Sequence, residues 1–188
     1  MTGDLVGATS DTSCLVGYAS AMKRVAVKMN KLCNDLRLLS SGPRTGFGEI
    51  NLPPMQNGSS IMPGKINLVI PEVVTQVAFH VIGNDTTITM AAEAGQMELN
   101  AFEPVVFYSL FSSITSMTGA VNTLVKNCIL GITANEKRCE DLVSKSVGIT
   151  TALCPYIGYQ KAASIAKKSL KTAESVTSLV LKDELLTQ

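Results

Sequence analysis

Tryptophan is absent from the 188 residues, and aromatic side chains make up only 5% of them. So few flat rings leave little material for stacking nucleic-acid bases. An excess of either charge is missing too: 16 lysines and arginines stand against 15 aspartates and glutamates, a formal net charge of +1. A balance so near zero gives no electrostatic reason to expect nucleic acid or an anionic membrane as partner. Five cysteines (Cys14, Cys33, Cys128, Cys139, Cys154) are scattered with no CxxC spacing. That removes zinc-finger and thioredoxin-type readings and points to a reducing compartment. The first residues carry neither a basic region nor an apolar one, so no secretory leader is expected and the cytoplasm is the implied location.

What the chain does hold is apolar content, 46% of residues, enough for the core of one domain or of one large piece of a bigger protein. Residues 105–125 contain no charge and are long enough to span a bilayer. Yet Ser109, Ser112, Ser113, Thr115, Ser116, Thr118, Asn122 and Thr123 surround that segment. Hydroxyls on every side favour a helix buried all round inside a large bundle over one facing lipid. The string KDEL occurs at residues 182–185 but three residues follow it, so it is expected to be accidental. Two Asn-x-Thr/Ser sequons, at Asn57 and Asn84, stay unused without secretion.

Periodicity predicts an all-α chain of long helices. Over residues 13–40, Met22, Val25, Met29, Leu32, Leu36 and Leu39 recur at three- and four-residue steps, forming a narrow coiled-coil-like seam. Gly42 and Pro43 end that helix. A second runs from about 70 to 94, with Pro71 and Glu72 suited to its first turn. The third is expected to start at Asn100, with Glu103 three residues on as a capping box, and to reach Gly131. Shorter segments at 135–146, 157–172 and 175–181 suggest an appended helical subdomain, dividing the chain into 1–132 and 133–188. No alternating pattern supports strands. His80, the single histidine, falls inside the second helix, where packing or surface placement is the ordinary role. The lysines of 161–171 suit a solvated helix face.

Between the first two helices lies a long loop containing the run NGSSIMPGKIN at 57–67. As a phosphate cradle it fails: five residues separate Gly58 from Gly64, Ile66 follows Lys65, and no strand precedes it. An ordinary surface loop explains Asn-Gly, Gly-Ser and Pro-Gly as turn formers. The chemical alternative is an anion grip. Glycines beside Ser59 and Ser60 let backbone N–H groups converge, while Lys65 and Asn67 add donors just ahead of a helix N-terminus. Composition leaves both readings open.

The run 58–67, GSSIMPGKIN, resembles the GSSxMPxKxNP signature loop of the aspartase/fumarase superfamily. The likeness continues through IPEVVTQVAFHVIGNDTTITMAAEAGQMELNAFEP at 70–104, back through 22–53 and forward through 128–163. Within the superfamily the segment after the loop follows the aspartase pattern most closely. The resemblance implies a helix-bundle domain, a homotetramer, and the reversible elimination of ammonia from L-aspartate to give fumarate. It implies no redox cofactor or obligatory metal. Carried over by position, it makes Ser59 the general base that takes the C3 proton of the substrate. Ser60, Lys65 and Asn67 would hold substrate carboxylate, Gly58 and Gly64 would serve as hinges of a closing loop, and Glu72 matches a glutamate that pairs with a catalytic histidine in fumarases.

Two departures accompany the match. Leu68 stands where the signature ends in proline. The family's chains are also much longer, and the upstream threonine- and serine-rich substrate-binding segments have no counterpart in these residues. The resemblance thus presents a C-terminal portion, expected to be inactive by itself. A fumarase-type hydro-lyase and a non-catalytic helical assembly fragment are the alternative readings.

Overall fold

The computed structural model describes residues 3–42, 44–56, 58, 61–62 and 67–186. Its elements are helical apart from one two-stranded pairing, as the periodicity predicts. The chain divides into two compact units, Met1–Thr133 and Ala134–Gln188.

Three long helices make the first unit: α1 (Ser13–Leu39), α2 (Val69–Glu93) and α3 (Glu103–Asn127). At 1.5 Å per residue each spans roughly 40 Å. They run antiparallel in sequence, with α2 packed against both neighbours. One continuous core threads them. At one end Leu15, Ala19, Ile88, Ala91, Val106 and Leu110 meet; in the middle, Ala26, Ala78, Val81 and Met117. The other end joins Cys33, Leu36, Val74, Ala120, Leu124 and Cys128. Met22 and Met29 bridge successive parts, the gap-filling role that an unbranched thioether suits.

The seam of α1 agrees with the expected one at Met22, Met29 and Leu36 and departs from it at Val25 and Leu32. Ala19, Ala26 and Cys33, seven residues apart, are the buried line, whereas Val25 is 48% and Leu32 42% exposed. Small side chains let the α2 backbone approach closely there, and that preference outweighs the larger apolar residues that periodicity selects. The helix 3 cap also differs. Phe102 occupies the N-cap position and no side chain caps it, while Pro104 sits in the first turn. Asn100, 4% exposed, instead donates through Nδ2 to the carbonyls of Ala91 (3.0 Å) and Ala92 (3.4 Å) and accepts from the Phe102 N–H at 2.9 Å. It thereby satisfies the orphan carbonyls that end α2 while ordering the turn into α3.

One helical stretch among the described residues, Glu103–Gly131, is apolar and long enough to cross a membrane by length and composition. A third of its apolar window is buried, so the expectation of burial on every side is not met by this chain. Val106, Ser109, Leu110, Ser113, Met117, Ala120 and Leu124 form the inward face of α3. Opposite them Phe107, Tyr108, Phe111 and Val125 are exposed, because α3 finds its helical neighbours on one side only.

The second unit holds α4 (Glu136–Lys145), α5 (Ile149–Ile157), α6 (Tyr159–Thr172) and α7 (Val176–Lys182). Sequence periodicity misses α5, since Cys154-Pro155 looks like punctuation; Pro155 lies inside the helix, has no N–H to donate, and the helix stops two residues later at Ile157. Gly158, at φ 80°, makes the break into α6, a conformation that a side chain would strain. Ile165, Val176, Leu179 and Val180 form this unit's core. Lys168 holds Asp183 through both carboxylate oxygens at 2.7 and 2.9 Å, and Leu185 packs on the core, so the KDEL string is built into the fold.

No disulfide joins any of the five cysteines. Cys33 and Cys128 are buried in one cluster at the loop end of the first unit. Desolvation pushes the Cys33 thiol up to about 11, helped by the neighbouring Cys128 and opposed by Arg37; burial raises Cys128 as well. The thiolate is the nucleophile, so iodoacetamide at mildly alkaline pH is expected to label exposed Cys14 and spare Cys33 and Cys128. Peptide mass mapping checks this. Because the folded state keeps the Cys33 proton longer than the unfolded chain, stability should fall as pH rises from 9.0 towards about 11.

Candidate functional site

The antiparallel arrangement brings the end of α1, the start of α2 and the end of α3 together, and the signature loop springs from this junction. Its leading stem is fixed by backbone and core contacts. The Glu49 N–H donates to the Leu39 carbonyl at 2.9 Å. A two-residue strand, β1 (Ile50–Asn51), pairs with β2 (Thr133–Ala134), and Asn51 Nδ2 donates to Thr133 Oγ1 at 3.3 Å. Leu52 is 8% exposed and belongs to the Cys33–Leu36–Leu124 cluster. The trailing stem returns to the same cluster through Leu68 and Ile70. Between the stems Met55, Ile61 and Met62 project into solvent, Ile61 at 86% exposure. The residues on either side of the loop are thus anchored to the same end of the helical unit.

Of the predicted site residues, Ser59, Ser60, Gly64 and Lys65 lie outside the described residues. Gly58 is exposed, and Asn67 is partly buried just ahead of α2. Leu68, the departure from the signature, is the N-cap position of α2 and makes no side-chain cap hydrogen bond. Its packing into the core gives the junction an apolar anchor where the signature has a ring. Pro71 and Glu72 stand in the first turn as predicted.

Glu72 has a partner that the sequence does not reveal. Arg37, in the last turn of α1, places Nη2 at 3.5 Å from Glu72 Oε1, both side chains being about two-fifths exposed. The pair joins the helix ends that bracket the loop. Each charge also complements its own helix dipole, acid at an N-terminus and base at a C-terminus. Thirty-five positions separate the two residues, so no local pattern could have announced the contact.

His80 is exposed; its Nε2 lies 3.2 Å from Ser112 Oγ and accepts from Asn84 Nδ2 at 3.1 Å, tying α2 to α3. No group of three or more metal-ligating side chains occurs among the described residues.

Comparison with known proteins adds what geometry leaves open. A family model described as "Lyase" matches residues 1–83, and one described as "Fumarase C C-terminus" matches 149–188. The aspartate ammonia-lyase of Helicobacter pylori is 56% identical over all 188 residues, which cover 40% of that protein. The Escherichia coli enzyme of the same name is 55% identical over 185 residues, 98% of this chain and 39% of the relative. Among solved structures, a fumarate lyase:delta crystallin from Brucella melitensis superposes with a TM-score of 0.92 at 50% identity, over 97% of this chain and 40% of that one. A class II fumarase from Schistosoma mansoni gives 0.89 at 30% identity, over 98% and 39%. The chain thus spans about 40% of the length of the curated relatives it matches. A shared helical frame, an anchored GSSIMPGKIN loop and identity above one half along the whole chain lead to one assignment: this chain belongs to the aspartase/fumarase superfamily.

Proposed function

We propose that the chain carries the proton-abstracting loop of a carbon–nitrogen lyase that converts L-aspartate reversibly to fumarate and ammonia. The observation that carries this reading is the 55–56% identity to aspartate ammonia-lyases, unbroken across the chain, against 30% to the class II fumarase. Ser59 is the base for the C3 proton. As that proton leaves, charge accumulates on the adjacent carboxyl group as a dianionic aci-carboxylate, and the C2–N bond then breaks to release ammonia. Ser60 and loop N–H groups stabilise the growing charge, since donors fixed where charge develops cost no reorganisation in the transition state. Lys65 and Asn67 grip carboxylate. Gly58 and Gly64 allow the loop to close, and the firm stems on either side fix where it lands.

The 188 residues by themselves are expected to give no turnover, because the superfamily's substrate-binding segments outside this loop are not among them. The test is a chimera: the Helicobacter pylori enzyme with its matched segment replaced by residues 1–188. Fumarate formation from aspartate by the purified chimera supports the reading, and a folded chimera without turnover refutes it.

A homotetramer is part of the same proposal. Phe107 and Phe111 stack at 6.2 Å between centroids on the uncovered face of α3, beside Tyr108 at 74% exposure. Exposed apolar area of that kind marks a protein interface. Light scattering on the 188-residue chain should find self-association; a clean monomer at micromolar concentration would count against it. A cytoplasmic setting completes the proposal, supported by five scattered cysteines with no disulfide among them.

A further inference from the structure

Gly131 ends the 3-10 turn Ile129–Gly131 that follows α3. A Cβ added there would lie 2.5 Å from Pro53 Cγ, with Pro53 Cβ at 3.5 Å and Cδ at 3.6 Å. The first distance is far inside van der Waals contact. Pro53 cannot swing away, because its ring is bonded to the backbone at both ends. It directly follows Leu52, the buried residue that plugs the loop's leading stem into the core. On the other side of Gly131, Ile132 packs on the same cluster and Thr133 Oγ1 accepts the Asn51 hydrogen bond. Four consecutive residues of the stem are therefore clasped by the short segment after α3.

We propose that Gly131 is a positioning residue for the signature loop: the contact of its bare backbone with the Pro53 ring sets the point from which the loop departs. This rests on the catalytic reading above, in which Ser59 follows Pro53 by six residues. A methyl group at position 131 drives Pro53 outward and so shifts the point from which the loop departs. Misplacement by about 1 Å at a reacting centre can cost about 10²-fold in rate.

Two measurements test it. In the 188-residue chain, Gly131→Ala should speed tryptic cleavage after Lys65 while leaving cleavage at the α6 lysines and the helical circular dichroism unchanged. In the chimera, Gly131→Ala should lower kcat/KM for aspartate by about 10²-fold. Pro53→Ala removes the Cγ that the new methyl meets, leaving only the ordinary contact at 3.5 Å. The double variant P53A/G131A should thus recover most of the loss, to near the level of Pro53→Ala. Should Gly131→Ala fail to fold while the double variant folds, the same steric coupling is shown. A Gly131→Ala chimera with full activity, or a loss that P53A leaves untouched, overturns the proposal. The catalytic reading fails on a different result, full activity of a Ser59→Ala chimera, and the cleavage rates would still judge the clasp.

Discussion

Ser59→Ala in the chimera is expected to lower kcat for aspartate by about 10³-fold, the middle of the range that a positioned general base supplies. The C3 proton of aspartate is barely acidic, so abstraction needs both a base and stabilisation of the charge left behind. Alanine removes the first while the backbone donors and Lys65 remain, so KM should change far less than kcat. Ser60→Ala should cost less, since loop N–H groups share its task. Lys65→Met should raise KM as well, because it removes a charge that meets the substrate carboxylate in the ground state too. Initial rates across these three variants separate the roles. Equal losses at Ser59 and Ser60 would remove the distinction between base and charge holder.

Lys23→Met should produce the largest loss of stability among single charge changes in the first unit, about 2 kcal/mol. Asp85 has a side chain only 5% exposed, wedged between α2 and α1. Lys23 Nζ lies 2.5 Å from its Oδ2 and Ser20 Oγ donates to its Oδ1 at 3.1 Å. Breaking a fully buried pair costs about 3–5 kcal/mol, because the remaining charge has lost its counterion. Lys23 keeps 41% of its side chain in water and Ser20 still donates, so the smaller figure is appropriate. For a chain of this size it corresponds to a drop of about 4–8 °C in Tm. The double change Lys23→Met with Asp85→Leu should recover most of that loss, since an apolar pair in the same space needs no desolvation. Thermal melts followed by circular dichroism check both. A single variant as stable as the parent would mean that water already neutralises Asp85.

Element type was legible from periodicity because each long helix of the first unit is amphipathic; α1 and α2 stop shortly before Gly42 and Gly95, whereas α3 ends at Asn127, short of the expected Gly131. Which face of α1 turns inward was legible only in part: Met22, Met29 and Leu36 lie on it, Val25 and Leu32 do not. Val25 and Leu32 carry more apolar surface than Ala19 and Ala26, yet close approach to α2 rewards the small residues. Asn100 shows a second limit: its spacing to Glu103 fits a capping box, but its amide is drawn to carbonyls nine and eight residues back. Helix α5 was hidden because it contains Pro155, a residue that ordinarily marks the end of a helix. At the site, composition left GSSIMPGKIN as either a turn-rich loop or an anion grip. The superfamily resemblance alone assigned roles, and Ser59, Ser60, Gly64 and Lys65 lie outside the described residues. What the fold contributes is the setting of the loop. Leu52 and Leu68 share one cluster, Arg37 meets Glu72 across the loop's base, and Pro53 meets Gly131. All three contacts join residues far apart in sequence, which is why no motif announces them.

The most direct measurement is fumarate formation by the chimera carrying residues 1–188, assayed side by side with L-aspartate and with L-malate. Release of fumarate and ammonia from aspartate, with malate giving at least about 10²-fold less, is the predicted result; a specific polar leaving group discriminates at that level or beyond. A folded, tetrameric chimera that prefers malate, or turns over neither substrate, would contradict it.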